Sequence, residues 1–283
     1  MLYSRTYRSI LFTPAVKPER FTKAFAASAD ICLVDLEDSV ASSDKGLARK
    51  LAEGFFADRS CGATARRAVR INAVGEPDGH RDLLAFLDYE RGPDIVMIPK
   101  VESPRDIEIV ECTIARKFPH VEFMAVIETP RGLENATAIA RASDRMCALI
   151  FGSADYSFSI GCQRTWDALL PVRSRLVNSA RSAGVEVIDA PTFQLADREL
   201  LEFEATEGKR LGFSGKAAIH PRQVSVIVEK FSPDKETLQL AERIVNSSDA
   251  SANSVTVVDG MMVGRPFFEA AHRLVRQFGT VDR

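Results

Sequence analysis

The chain has 283 residues, 46% of them hydrophobic and 27% charged, with a formal net charge of −2 and an isoelectric point near 6.2. That balance excludes the basic field that nucleic acid or an anionic membrane surface would require. It leaves room for small anionic ligands, which need only a few local cations.

The five cysteines, Cys32, Cys61, Cys112, Cys147 and Cys162, are odd in number and widely spaced, with no C-x-x-C pair. The pattern speaks against a disulfide framework or a thiolate zinc site, and for small core residues in a reducing cytosol. Met1-Leu2-Tyr3-Ser4-Arg5 leads into a strand-like run without the apolar core of a signal peptide. No stretch approaches the roughly 18 apolar residues of a membrane span. The expectation is a cytoplasmic protein without membrane or nucleic-acid partners.

In chain order, short runs rich in Val, Ile, Leu and Phe predict strands at 9–13, 31–35, 68–71, 95–98, 122–127, 148–151, 186–189 and 217–219. Amphipathic stretches of helical length separate them. Pro18 opens a helix over 18–28, Ser103-Pro104 opens 104–117, and Thr129-Pro130 opens 130–141. Residues 165–183 read as a longer helix ending before Gly184, and 195–209 as one closed by Gly212. The strands recur about every 30 residues, the length of a βα unit. Eight of them predict a closed parallel barrel; an open doubly wound sheet is favoured by six. Residues 1–231 are therefore expected to form a (β/α)8 TIM barrel of the α/β class. Residues 232–283, with helices near 234–247 and 264–278 joined by the small polar run 247–254, are expected to be a C-terminal helical extension packed on the barrel or on a neighbouring subunit.

In such a barrel the chemistry sits where the strands end and the βα loops converge. Those edges carry Thr13-Pro14, Asp35-Leu36-Glu37-Asp38, Arg70 with Asn72, Pro99-Lys100, Glu128-Thr129, Gly152-Ser153-Ala154-Asp155, Asp189 and His220-Pro221. A ring this rich in carboxylates exceeds what solubility needs. Glu128 and Asp155 are read as ends of consecutive strands, which lie about 4.8 Å apart. Their carboxylates are thus candidates to share one hard cation. Oxygen-only ligation suits Mg²⁺, which takes one or two protein carboxylates and fills its octahedron with water and substrate. The competing reading has each acid capping the next helix or pairing with Arg131. Arg70 suits a bidentate clamp on a substrate carboxylate, and equally an internal ion pair with Glu37 or Asp38. The amides of Gly152, Ser153 and Ala154 are candidates to approach an anion. Lys100 reads as a charged structural partner ahead of a Schiff-base nucleophile, and His220 as a loop-orienting residue. The sequence has no G-x-S-x-G elbow, Walker loop, G-x-G-x-x-G or H-E-x-x-H motif, and His80, His120 and His272 are scattered.

The same strand ends resemble the citrate lyase β-subunit family within the HpcH/HpaI aldolase and malyl-CoA lyase superfamily. The resemblance is carried in order by Arg8-Ser9-Ile10-Leu11-Phe12-Thr13-Pro14, Asp35-Leu36-Glu37-Asp38-Ser39-Val40, Arg70-Ile71-Asn72 and Pro99-Lys100-Val101-Glu102. It continues through Ile127-Glu128-Thr129-Pro130-Arg131-Gly132, Gly152-Ser153-Ala154-Asp155, Gly212-Phe213-Ser214-Gly215-Lys216 and Ile219-His220-Pro221-Arg222-Gln223. It implies a trimer or a multiple of one, Mg²⁺ held by Glu128 and Asp155, and Arg70 on the substrate carboxylate. It places Glu37 and Asp38 beside metal-bound water and Arg70, and so in the catalytic machinery. Implied substrates are citryl, malyl or citramalyl thioesters of CoA or an acyl carrier, cleaved to an acyl-CoA and a 2-oxo acid. Arg5, Arg8, Lys17 and Arg20 are a weak signal for CoA phosphates.

One departure stands out. Relatives carry an acid/base Asp in a Met-Val/Ile-Asp-x-Pro segment near the C-terminus, where this chain reads Met262-Val263-Gly264-Arg265-Pro266. Gly264 transfers no proton, and Asp259, five residues earlier, is an acid close to it in sequence. Alternatives on the same site are therefore thioester hydrolysis, a CoA-independent aldolase, or a catalytically altered lyase subunit that binds metabolites.

Overall fold

A computed structural model of the chain describes residues 7–58, 65–247 and 255–279. The N-terminal pentapeptide, Cys61 and all but the first residue of the 247–254 run lie outside these segments. The eight apolar runs form β1 (Ser9–Pro14), β2 (Ile31–Asp35), β3 (Arg66–Arg70), β4 (Ile95–Ile98), β5 (Glu122–Ile127), β6 (Met146–Phe151), β7 (Glu186–Asp189) and β8 (Gly215–Ala218). Each pairs in parallel with the next, and β8 closes on β1, giving the expected (β/α)8 barrel. The surrounding helices are α1 (Phe21–Ala26), α2 (Lys45–Ala57), α3 (Pro77–Asp88), α4 (Pro104–Ile114), α5 (Pro130–Glu134), α6 (Ala136–Ala140), α7 (Ser153–Ile160), α8 (Trp166–Ala183), α9 (Arg198–Leu211) and α10 (Pro221–Phe231).

Two expected helices are interrupted within their patterns, and that of 104–117 ends three residues early, at Ile114. The 18–28 stretch begins with a 3-10 turn at Pro18–Arg20 and leaves only α1 as α-helix before Ser28 turns left-handed at φ 58°. The 130–141 stretch breaks at Asn135 (φ −93°, ψ 3°), whose side-chain amide donates to the Glu102 carbonyl at 2.7 Å. A local side-chain bond of this kind competes with helix continuation.

Strand side chains alternate between two cores. Ile10, Ile31, Leu33, Ala68, Ile95, Met97, Met124, Val126, Ala148, Ile150 and Ile188 fill the barrel interior, with Phe12 at its edge. Leu11, Cys32, Val34, Val69, Val96, Phe123, Ala125, Leu149 and Val187 point outward into the layer shared with the helices. Both phases are apolar, as a parallel sheet covered on both faces requires. Closure depends on Gly215: a Cβ there would sit 2.0 Å from the Tyr7 carbonyl oxygen and 2.4 Å from that of Arg8. Of the cysteines, Cys32 and Cys147 are buried, Cys162 is half-buried and Cys112 is exposed. Among the described residues, no helix is long and apolar enough to cross a membrane.

The described residues from Ser232 onward belong to a second compact unit. It holds α11 (Lys235–Asn246), an antiparallel hairpin of β9 (Thr256–Val258) and β10 (Met261–Val263), and α12 (Arg265–Phe278). Ala241, Ile244, Val258, Val263 and Ala271 form its core. The hairpin is an addition to the expected helices. Its turn is Asp259-Gly260, both left-handed (φ 50° and 79°), the conformation that a two-residue type I′ turn demands.

Gly215→Ala is expected to destabilise the barrel by about 3 kcal/mol or more, since the backbone oxygens it would strike cannot move without opening the β1–β8 seam. Urea denaturation monitored by circular dichroism measures the loss.

Candidate active site

The polar residues at the strand ends continue the inward phase of the barrel interior. Asp35 follows Leu33, Arg70 follows Ala68, Glu128 follows Val126 and Gly152 follows Ile150, each two positions on. They form the top layer over the apolar interior, around a cavity of about 370 Å³. Phe12, Met97, Val126 and Ile150 floor it; Asp35, Asp38, Arg70, Glu128, Gly152, Ser153, Ala154 and Asp155 line its polar side. Pro191, Phe193, Ala217 and Ile219 complete an apolar wall.

Arg70 is the hub of the acidic side. Its Nε and Nη2 donate to the two oxygens of Asp35, each at 2.7 Å, while Nη1 lies 2.9 Å from Glu37 and 3.2 Å from Asp38. The internal ion-pair reading is thus realised, with Asp35 as the main partner. Asp35 also accepts the amides of Glu37 (3.0 Å) and Ser39 (3.2 Å). Burial pushes the Asp35 carboxyl up, but the charge and hydrogen bonds of Arg70 more than offset this and hold it below the usual carboxylate range. The acidic turn is anchored from outside: Lys45 Nζ donates to the carbonyls of Leu36 and Glu37, both at 2.7 Å. Asn72 donates to the Leu36 carbonyl at 3.0 Å and is itself held by the buried Asp82.

Lys100 ties this turn to Glu128. Its Nζ lies 3.0 Å from Glu37, and its amide donates to a Glu128 carboxylate oxygen at 2.7 Å. Lys100 adopts left-handed backbone (φ 52°), strained for a residue with a side chain. Among the described residues, Arg131 has Glu102 as its ion-pair partner at 3.7 Å, so it does not neutralise Glu128. Burial and then the negative charge of Glu37 push the Glu128 carboxyl up to about 8. Burial likewise pushes Glu37 up to about 7 against the pull of Arg70.

Asp155 is not at a strand edge. β6 ends at Phe151, Gly152 is the N-cap of α7, and Asp155 lies in the first turn of that helix. Among the described residues no protein donor bonds its carboxylate, although it is close enough to Glu128 to raise that group's pKa. The Gly152 amide is engaged by the Ile127 carbonyl at 3.0 Å, because it extends the β5–β6 ladder. That leaves the first-turn amides of Ser153 and Ala154 outside any helical bond. Gly152 matters instead for the space it leaves: a Cβ would fall 2.4 Å from Glu128 Cβ and 2.5 Å from its Oε2.

Two expected mouth residues lie elsewhere. Asp189 has the outward phase opposite to Ile188, and it is fully buried between Arg173 (2.9 Å) and Lys216 (3.0 Å). His220 Nδ1 accepts the Arg222 amide at 3.1 Å, fixing the start of α10. Lys45, and the pairing of Asp35 with Arg70 and of Asp189 with Lys216, are the features that motif spacing alone does not single out.

Around the cavity, Asp35, Glu37, Asp38, Glu128 and Asp155 face Arg70 and Lys100, five carboxylates to two cations and so a formal excess of three negative charges. Among the described residues no cluster of three or more His, Cys, Asp or Glu has metal-binding geometry. The cavity lining does offer a pair of carboxylates, Glu128 and Asp155, in acid-rich surroundings. That pair fits an oxygen-seeking, water-retaining cation such as Mg²⁺ and does not fit zinc.

Residues 8–221 match the family described as HpcH/HpaI aldolase/citrate lyase. The chain belongs to that family. It is 31% identical to the citrate lyase subunit beta of Escherichia coli K12 over 96% of this chain and 93% of that one. It is 32% identical to a (3S)-malyl-CoA thioesterase of Cereibacter sphaeroides over 91% and 89% of the two chains. Among solved structures, CitE of Mycobacterium tuberculosis in complex with magnesium, acetoacetate and coenzyme A superposes with a TM-score of 0.77 at 31% identity, covering 96% of this chain and 98% of its own. RipC of Yersinia pestis gives 0.72 at 35% identity, over 83% and 99%.

In this HpcH/HpaI family member, Gly152→Ala is expected to push Glu128 aside and to weaken binding of a divalent cation at least about tenfold, the lower range for a residue that orients a ligand. Calorimetric titration with MgCl2 reads the loss, while an unchanged far-UV spectrum shows the barrel intact.

Proposed function

We propose that this chain is a magnesium-dependent carbon–carbon lyase, cleaving a short 3-hydroxyacyl thioester such as citramalyl-, malyl- or citryl-CoA into an acyl-CoA and a 2-oxo acid. The observation that carries this is the pair Glu128 and Asp155, which line one cavity with Arg70 and have few or no protein donors of their own. Glu128 and Asp155 would hold the ion. Bound there, Mg²⁺ supplies Lewis-acid polarisation of the oxygen that becomes the keto group. The CitE neighbour with magnesium, acetoacetate and coenzyme A bound supports this choice of ligands.

The protein's own groups account for orientation. Arg70 and the free amides of Ser153 and Ala154 bind the carboxylate of the 2-oxo acid half and set its angle to the scissile bond. Asp35 fixes the plane of the guanidinium, and Glu37 fixes Arg70 and Lys100 together. Asp38, half-exposed at the cavity edge, is the carboxylate we assign to receive the substrate hydroxyl proton. Cleavage breaks the bond between the carbinol carbon and the thioester α-carbon. The electron pair goes to the thioester side, and the α-carbon must then gain a proton. In solution we take the protein to be a trimer or a multiple of one.

A second outcome on the same site is hydrolysis of the thioester. Gly264 brings no proton donor, and (3S)-malyl-CoA thioesterases are among the relatives. Product analysis separates the two. Incubation with Mg²⁺ and each thioester is expected to release 2-oxo acid in step with acyl-CoA. Free thiol without 2-oxo acid would establish the hydrolase instead, and neither product from any of the thioesters would refute both.

Glu128→Gln and Asp155→Asn are each expected to lower kcat/KM roughly 10³-fold, matching the several kcal/mol a Lewis acid contributes. Arg70→Lys is expected to lower it about 100-fold, because an ammonium cannot hold Asp35 and substrate with one planar fork. Steady-state kinetics of the folded variants at several Mg²⁺ concentrations distinguish a lost ion from a lost clamp.

A further inference from the structure

The apolar wall of the cavity comes from two separate pieces of chain. Pro191 and Phe193 follow β7, and Ile219 follows β8. Neither piece is held there by strand pairing, since the β7–β8 register ends at Asp189 and Lys216. One side chain bridges them. Gln223, in the first turn of α10 and 3% exposed, donates from Nε2 to the Thr192 carbonyl at 2.8 Å and accepts the Ile219 amide on Oε1 at 2.9 Å. A carboxamide is suited to this task because it presents a donor and an acceptor from one rigid group. The loop is held from behind as well. Lys216, fully buried, donates to the Ala190 carbonyl at 2.6 Å and lies 2.9 Å from Glu204, which accepts the Thr192 hydroxyl. Every polar group of residues 190–192 named here thus points away from the cavity, which leaves Pro191 and Phe193 as the face offered to a ligand.

We infer that Gln223 is a positioning residue for the substrate. It sets the gap between the 191–193 segment and Ile219, and thereby the fit of the organic, uncharged part of the substrate against that wall. The inference rests on the cavity being the substrate site proposed above. Gln223 touches neither Glu128, Asp155 nor Arg70, so its loss should leave ion binding intact and weaken ground-state and transition-state binding alike. Binding lost uniformly appears as a raised KM with kcat preserved.

The test compares Gln223→Met, which keeps length but has neither donor nor strong acceptor, and Gln223→Glu, which keeps only the acceptor, with Ile227→Ala. Ile227 is fully buried on the same helix and does not line the cavity, so its truncation reports general loosening of α10. Both Gln223 variants are expected to raise KM about tenfold or more with kcat within about threefold, the signature of lost uniform binding. Their affinity for MgCl2 by calorimetry should be that of the parent protein. Ile227→Ala is expected to lower Tm and leave KM unchanged. An unchanged KM in whichever Gln223 variant folds, or a KM and kcat pattern shared with Ile227→Ala, would overturn the inference. Should the parent turn over none of the thioesters, the lyase reading fails first, and the same comparison is read from the Kd of pyruvate in the presence of Mg²⁺. A Kd equal in parent and Gln223 variants, or no pyruvate binding to the parent, sinks the positioning role too.

Discussion

Negative charge crowded into a half-buried pocket is the constraint around which the upper face of the barrel is organised. Two side-chain cations cannot neutralise five carboxylates, and in a medium less polar than water the unbalanced charge is costly. The protein answers it unevenly. Asp35 receives the best-matched partner, a two-pronged guanidinium, and stays below the ordinary carboxylate range. Glu37 and Glu128 are left short, and burial drives both upward, to about 7 and about 8. Glu37 and Asp155 both add negative charge to what burial already imposes on Glu128, so a cation held by Glu128 would relieve the crowding. The strained, left-handed Lys100 fits this picture, since in that conformation its amide donates to Glu128 while its ammonium reaches Glu37.

The barrel itself was legible from spacing. Eight apolar runs spaced on average by about the 30 residues of a βα unit leave few other topologies, and the pairing follows chain order. The site was legible as a set of strand-end residues, and less so as a geometry. Asp35 shares the inward phase of Ile31 and Leu33, which marks it as Arg70's partner; attention to the acids beyond the strand obscures that. Asp189 failed for the converse reason: it has the outward phase, and a polar residue at a strand end can serve the helix layer as well as the mouth. Where both faces of a strand are apolar, hydrophobic alternation is silent, and phase must be counted from the strand's last inward residue. The hairpin of the C-terminal unit had a local signal, Asp259-Gly260 between valine and methionine pairs, weaker than the helical patterns on either side.

Asp155 reaches the cavity from a helix and not from a strand end. Reading Glu128 and Asp155 as paired strand ends brings them together for a reason the structure modifies. The ladder extends one step past β6 through the Gly152 amide, and the chain then enters α7, so Asp155 arrives from a helical first turn. An acid there is favoured by the helix dipole. Gly152, between them in the chain, leaves the space that the Glu128 side chain occupies at the cavity, space a Cβ would take from it.

Gly264 poses a question of chemistry, not of fold. Its backbone (φ −114°, ψ −176°) is extended and open to any residue, and a Cβ there would meet nothing nearer than 4.0 Å. Neither conformation nor crowding requires glycine at the start of α12. The acids five residues to either side, Asp259 and Glu269, are bound to Arg243 at 2.9 Å and Arg265 at 2.8 Å within the same unit. All of the groups assigned to hold the ion and the 2-oxo acid lie in the barrel unit, whereas position 264 belongs to the other. Holding the 2-oxo acid and protonating the thioester carbon are thus separable tasks. A chain can keep the first while changing the second, and the relatives of this one include both citrate lyase beta subunits and (3S)-malyl-CoA thioesterases.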